Sequence, residues 1–179
     1  MSRDSITVLP FPAEYRASGL LLHATSLPSP YGIGEVGPAA FAWVDRLHEA
    51  GQCWWQALPL GPTGYGNSPY QSLSSFAGNG LLISPDFLIE DGLREANEVK
   101  CDPFSSVGVD YEVVAPYKHG LLERAWSTFR AGTRPDLRPA FEQFCEAEAH
   151  WLEDYLRSGQ AAALPVRGFE SRIQRRLLP

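Results

Sequence analysis

The sequence predicts an α/β fold in which an N-terminal βαβ portion is followed by a mainly helical segment. Three observations lead there. Two short apolar runs, 19–22 and 53–58, bracket a stretch of helical periodicity, and the three together take about 40 residues, the size of a βαβ unit. Glycine and proline then crowd residues 61–69. Beyond residue 84 the apolar positions recur at spacings of three and four, as on one face of a helix. A length of 179 residues allows one domain, or one with an appendage.

Gly19-Leu20-Leu21-Leu22-His23 is a short apolar run closed by the turn-rich Pro28-Ser29-Pro30-Tyr31-Gly32, which reads as a fully buried strand. Pro38 suits a first helical turn, Phe41, Val44, Leu47 and His48 keep helical spacing, and Gly51 fits the left-handed position after the last turn. Cys53–Leu58 resumes an apolar segment that Pro59 closes, so the two strands should pair in parallel through a right-handed crossover. Gly80-Leu81-Leu82-Ile83 is a candidate third strand. Ser84-Pro85-Asp86 has the form of a helix start and Gly92 of its stop. Leu121, Leu122, Ala125, Trp126 and Phe129 form one amphipathic face. Phe141, Phe144, Cys145, Glu148, Leu152 and Tyr155 form another, with one charge inside it.

Composition narrows the function classes. Hydrophobic residues make up 44% and charged residues 20%, an ordinary globular mix, and no apolar run approaches the ~20 residues that span a bilayer. Met1–Pro12 holds Arg3, Asp4 and two prolines without a continuous apolar stretch, so a cytoplasmic location is expected. A net charge of −6 disfavours nucleic acid and anionic membrane as partners. Cys53, Cys101 and Cys145 have neither disulfide nor metal-site spacing and are expected as reduced core residues. No metal and no cofactor is expected. His48, His119 and His150 lack metal-like spacing and fit surface or helix-packing roles.

Loops after parallel strands sit at the carboxyl edge, where ligands bind, so 59–72 is where function is sought. Gly61, Gly66 and Ser68 nearly trace a phosphate loop, but Asn67 stands where its lysine would be and Pro69 has no N–H to donate. Ser68 lacks the G-x-S-x-G setting of a nucleophile. What remains is a glycine-hinged loop presenting Tyr65 and Tyr70 beside Asn67, Ser68 and Gln71. Aromatic rings pack on the C–H faces of a pyranose while amide and hydroxyl groups hydrogen-bond its hydroxyls, so a sugar fits. The bland alternative, in which both tyrosines plug the top of a sheet, carries equal weight on composition alone. His23 ends a strand at the same edge and joins the candidates, although a lone histidine is more often structural.

These residues resemble a known family. His23–Pro28, Tyr31–Gly34 with Gly37-Pro38, Trp55–Gly66, Ser68–Ser72 and Phe76–Asn79 look like the N-terminal signature of the 4-α-glucanotransferases, or amylomaltases. Weaker similarity runs through Pro116-Tyr117-Lys118 to Phe144-Cys145 and His150–Tyr155, so the resemblance covers about residues 16–155. It implies a (β/α)8 barrel with helical insertions, here incomplete, and a retaining transfer of α-1,4-glucan segments between maltodextrins. It implies that Tyr70 stacks on the glucose next to the cleaved bond and that Tyr65 belongs to a secondary glucan groove. The family usually has aspartate at Asn67, and often proline at Ala24 and Gly80. The implied organisation is an N-terminal extension over 1–15, first βα units over 16–83, a helical insertion region over 84–155, and a tail over 156–179.

Retaining transfer needs two carboxylates about 5 Å apart, a nucleophile and an acid/base. The resemblance places these on later barrel strands, and nothing in this sequence matches them. Glu153 with Asp154 and Glu90 with Asp91 read as solvated helix charges. A closed barrel typically takes ~250 residues, so this chain is expected to be an N-terminal fragment, inactive alone, with apolar strand faces uncovered. A non-catalytic glucan-binding module and a non-functional truncated product are the rival readings. Residues 1–155 hold 10 basic and 20 acidic side chains, whereas 156–179 hold five arginines and one glutamate. Arginine without lysine and without apolar period points to a frameshift near codon 156, against the alternative of a basic tail for an acidic partner.

Overall fold

A computed structural model of the chain describes residues 15–72, 74–105 and 107–157. Of the expected N-terminal extension only Tyr15, and of the expected tail only Leu156 and Arg157, fall within them. Strand β1 (Gly19–Leu21) pairs in parallel with β2 (Trp54–Gln56), in the register Gly19 to Trp54, Leu20 to Trp55 and Leu21 to Gln56. Leu22 N–H donates to the Gln56 carbonyl (3.0 Å) and Cys53 N–H to that of Ser18 (2.9 Å), extending the pairing at both ends. Helix α1 (Pro38–Glu49) connects the two strands, with Pro38 in its first turn and Gly51 at φ 69° beyond its end, as the spacing predicts. The βαβ unit is therefore present.

Four expectations need correction. Gly80–Leu82 is not a strand but a 3-10 turn, because the buried Asn79 side chain accepts a hydrogen bond from Leu81 N–H (2.9 Å) and closes the chain. Only a single parallel bridge, Val36 with Ile83, remains there. Strand β1 is exposed rather than buried: Leu20 is 46% and Leu21 60% accessible, and Trp54 on β2 is 48% accessible. Cys53 and Cys101 are exposed and Cys145 half-buried, so none is a core residue. The apolar stripe through 141–155 is two helices, α4 (Arg138–Ala147) and α5 (Ala149–Arg157), broken at Glu148.

Ser84 precedes α2 (Pro85–Glu90), and Gly92 follows it at φ 65°. Helix α3 (Tyr111–Arg130) starts ten residues before its recognisable apolar face, capped by Asp110, whose Oδ1 accepts from Glu112 N–H (3.1 Å). Its buried face supplies the core. Val114 packs with Ile33 and Leu81, Leu121 with Tyr31 and Val99, and Leu122 and Ala125 with Leu88. Most of the core thus lies between α3 and the segments 31–36 and 80–93, while Trp55 of β2 packs on a smaller cluster of Ala24, Val36 and Leu82. Trp126 and Phe129 of α3 meet Phe141 at 5.5 and 5.2 Å between ring centroids, which docks α4 on α3. No helix among the described residues is long and apolar enough to cross a membrane.

Candidate functional site

The loop after β2 is folded by its own backbone. Gly64 N–H donates to the Ser68 carbonyl and Asn67 N–H to the Gly64 carbonyl, both at 3.0 Å. A Cβ on Gly64 would lie 2.2 Å from the Gln71 carbonyl oxygen, so only glycine allows the loop to fold back on itself. Asn67 sits in the left-handed region at φ 57°, where asparagine is among the most tolerant side chains. Ser68 Oγ accepts from Tyr70 N–H (3.3 Å), starting the 3-10 turn Pro69–Gln71. The Ser68 hydroxyl therefore organises backbone. Asn79 N–H donates to the Leu60 carbonyl (2.9 Å), tying the end of the loop to its beginning.

This loop forms one side of an open cavity of about 820 Å³. Tyr70, Ser72 and Phe76 line it from the loop, and Phe144, Glu148 and Trp151 from the hinge between α4 and α5. Tyr70 is 71% exposed, its ring available to a ligand. Tyr65 is 91% exposed and does not line the cavity. Asn67 and Gln71 are exposed, Ser68 half-buried, and none of the three contributes to the lining.

His23 stands apart from the cavity. It precedes the 3-10 turn Ala24–Ser26, and its carbonyl accepts from Ser26 N–H (2.9 Å). Its Nδ1 is buried with no hydrogen-bond partner among the described residues, and burial holds its pKa below the ordinary value.

The second wall escaped sequence reasoning. Glu148 appeared only as a charge inside an apolar stripe, and that oddity was the signal: it is buried, and its Oε2 accepts from the Trp151 indole N–H (2.6 Å). Sequence reasoning also missed a polar knot beneath the site. Lys118, from α3, donates to Glu35 Oε2 and to the Ile83 carbonyl (2.6 Å), while Ser84 Oγ donates to Glu35 Oε1 (2.9 Å). Desolvation raises the Glu35 pKa and lowers that of Lys118, outweighing their mutual attraction in both. Tyr31 O–H donates to Asp86 Oδ1 (2.6 Å) beside this pair, and burial together with that hydrogen bond raises the phenol's pKa. The knot fixes α3 to the segments that precede α1 and α2.

Comparison with known proteins gives the family of this chain. The family model described as 4-alpha-glucanotransferase matches residues 22–158. The chain is 50% identical to the 4-alpha-glucanotransferase of Thermus thermophilus over 141 residues, covering 78% of this chain and 27% of that one. It is 45% identical to that of Synechocystis over 143 residues, 79% of this chain and 28% of that one. Among solved structures it is similar to the amylomaltase from Streptococcus agalactiae in complex with acarbose, with a TM-score of 0.68 and 38% identity over 79% of this chain and 28% of that one. The chain thus spans little more than a quarter of the length of these relatives. A family match that runs from the end of β1 through α1, β2, the Tyr70 loop and the helices α2 to α5 makes this chain a member of the 4-alpha-glucanotransferase family.

Proposed function

We propose that the chain is the N-terminal, glucan-binding part of an enzyme that moves α-1,4-glucan segments between maltodextrins by a retaining mechanism. The observation that carries this reading is the exposed Tyr70 ring, held by a hydrogen-bonded loop on the wall of a large open cavity. Its flat face suits the C–H face of a glucose unit, and Ser72, Ser74 and Ser75 in the same lining suit its hydroxyls. The Streptococcus agalactiae relative, whose structure contains acarbose, supports an α-glucan as ligand.

The chain by itself binds glucan without turning it over. Retaining transfer needs two carboxyl groups about 5–5.5 Å apart around the scissile bond, and Glu148 is the only acidic side chain among the described residues lining the cavity. The exposed apolar side chains of β1 and β2 are what the first two strands of a larger barrel would present to further elements. Calorimetric titration of the purified chain with maltoheptaose and a glucose-release assay on maltotriose test the reading together. Saturable binding without glucose above a no-enzyme control is expected. Absence of binding refutes the glucan site, and glucose release refutes the inactivity.

A further inference from the structure

Single exposed apolar side chains are ordinary on protein surfaces, but Phe76 is not a loose one. It is 63% accessible, yet Trp151 stacks on it at 5.8 Å with 16° between the planes, and His150 meets its edge at 5.7 Å. Trp151 is fixed in turn. Its indole N–H donates to Glu148 Oε2 (2.6 Å), and the Tyr155 ring meets it at 6.0 Å. Glu148 is set by the break between the helices: it is 5% accessible, and its carbonyl accepts from Trp151 N–H (3.2 Å) and Leu152 N–H (3.0 Å). The hinge therefore holds a flat ring at the surface through two rigid intermediaries.

The lining also says what the cavity would take. None of the described residues lining it is lysine or arginine, and its one charge is the Glu148 carboxylate, so a phosphorylated or otherwise anionic ligand is disfavoured. A volume of about 820 Å³ lies within the ~300–1,000 Å³ of small-ligand sites. Aromatic faces beside serine hydroxyls and a carboxylate match a neutral polyol with flat C–H faces.

We propose that the hinge between α4 and α5 builds an additional α-glucan subsite in this cavity, with Phe76, backed by Trp151, as the platform for a glucose ring. This rests on the glucan-binding reading above and assigns that binding a second platform, separate from Tyr65 and Tyr70.

The test is calorimetric titration of the full chain with maltoheptaose for the parent, Phe76→Ala, Phe76→Tyr and, as a control on the exposed side of α3, Val113→Ala. Circular dichroism spectra matching the parent's identify folded variants, and Phe76→Ala removes a largely exposed ring, so the core is left intact. Phe76→Ala is expected to weaken binding about fivefold, as loss of one stacking contact does. Phe76→Tyr should stay within about twofold of the parent because the ring is retained, and Val113→Ala should bind like the parent. Unchanged affinity in Phe76→Ala overturns the subsite and leaves the glucan-binding reading standing. So does a Phe76→Tyr variant as weak as Phe76→Ala, which would mean that the ring is not what holds the sugar. A parent chain that does not bind maltoheptaose at all overturns both.

Discussion

Replacing Lys118 with methionine removes the cation from a carboxylate that has almost no access to water. Glu35 is 2% and Lys118 1% exposed. Without the ammonium group, Glu35 keeps the Ser84 hydroxyl, while the Ile83 carbonyl loses its charged donor. Breaking a buried pair by removing one partner destabilises by about 3–5 kcal/mol, because the survivor is buried and uncompensated. The loss should concentrate where Lys118 acts, in the docking of α3 on the 80–84 segment. Amide hydrogen exchange of Leu121, Leu122 and Ala125 at pH 7 reads it, since these residues lie on the buried face of α3. At about 1.4 kcal/mol per factor of ten, exchange should accelerate by at least about a hundredfold.

The same experiment has a pH signature. The Glu35 pKa is already raised by burial, so its contribution to stability is fully present below its unfolded value of about 4.3 and is lost as pH rises through the folded value. Without Lys118 the folded value rises further, and the variant's deficit should shrink as the solution is acidified towards that range. Glu35→Gln combined with Lys118→Met removes both charges while leaving the Ser84 hydroxyl an acceptor, and should recover at least half of the loss. Acceleration of less than about fivefold in Lys118→Met, or a double variant as unstable as the single one, would refute the idea that this pair holds α3 in place.

In a full-length relative carrying the equivalent residues, Tyr70→Ala should reduce turnover more than Tyr65→Ala, by about 1 kcal/mol or roughly fivefold in rate for loss of a stacking ring; equal rates for the Tyr70 variant and its parent would contradict its assignment to the reacting sugar. His23 has a pKa depressed by burial, so the unfolded chain takes up its proton first and stability should decline as pH falls below about 6.5; melting curves of the parent and His23→Gln between pH 7.5 and 5.5 should converge at the acid end, and parallel curves would remove His23 as the cause. The family match ends at residue 158, within three residues of the change in charge composition at 155. Reading the coding DNA past codon 156 in the other two frames should therefore restore family sequence, and finding none in either frame would leave 156–179 as selected sequence.

The βαβ unit was legible in the sequence, because its information is local. Pro38 and Gly51 bound α1 by backbone chemistry that needs no distant partner, and the apolar runs at 19–22 and 53–58 carry β1 and β2. The loop with Tyr65 and Tyr70 was legible for the same reason, since Gly64, Asn67 and Ser68 organise it by contacts fewer than ten residues apart. Gly80–Ile83 was misread because an apolar run has the same composition in a strand and in a buried 3-10 turn, and the Asn79 side chain decided between them. The early start of α3 was hidden by Pro116, which ordinarily argues against a helix interior. Only the tertiary structure brought Glu148 and Trp151 to the loop that carries Tyr70, across more than seventy residues, and Lys118 to Glu35 across eighty-three. Such pairs leave no periodicity in the chain. A buried charge looks like a surface charge until the partner that neutralises it is in place, and that partner is supplied by folding.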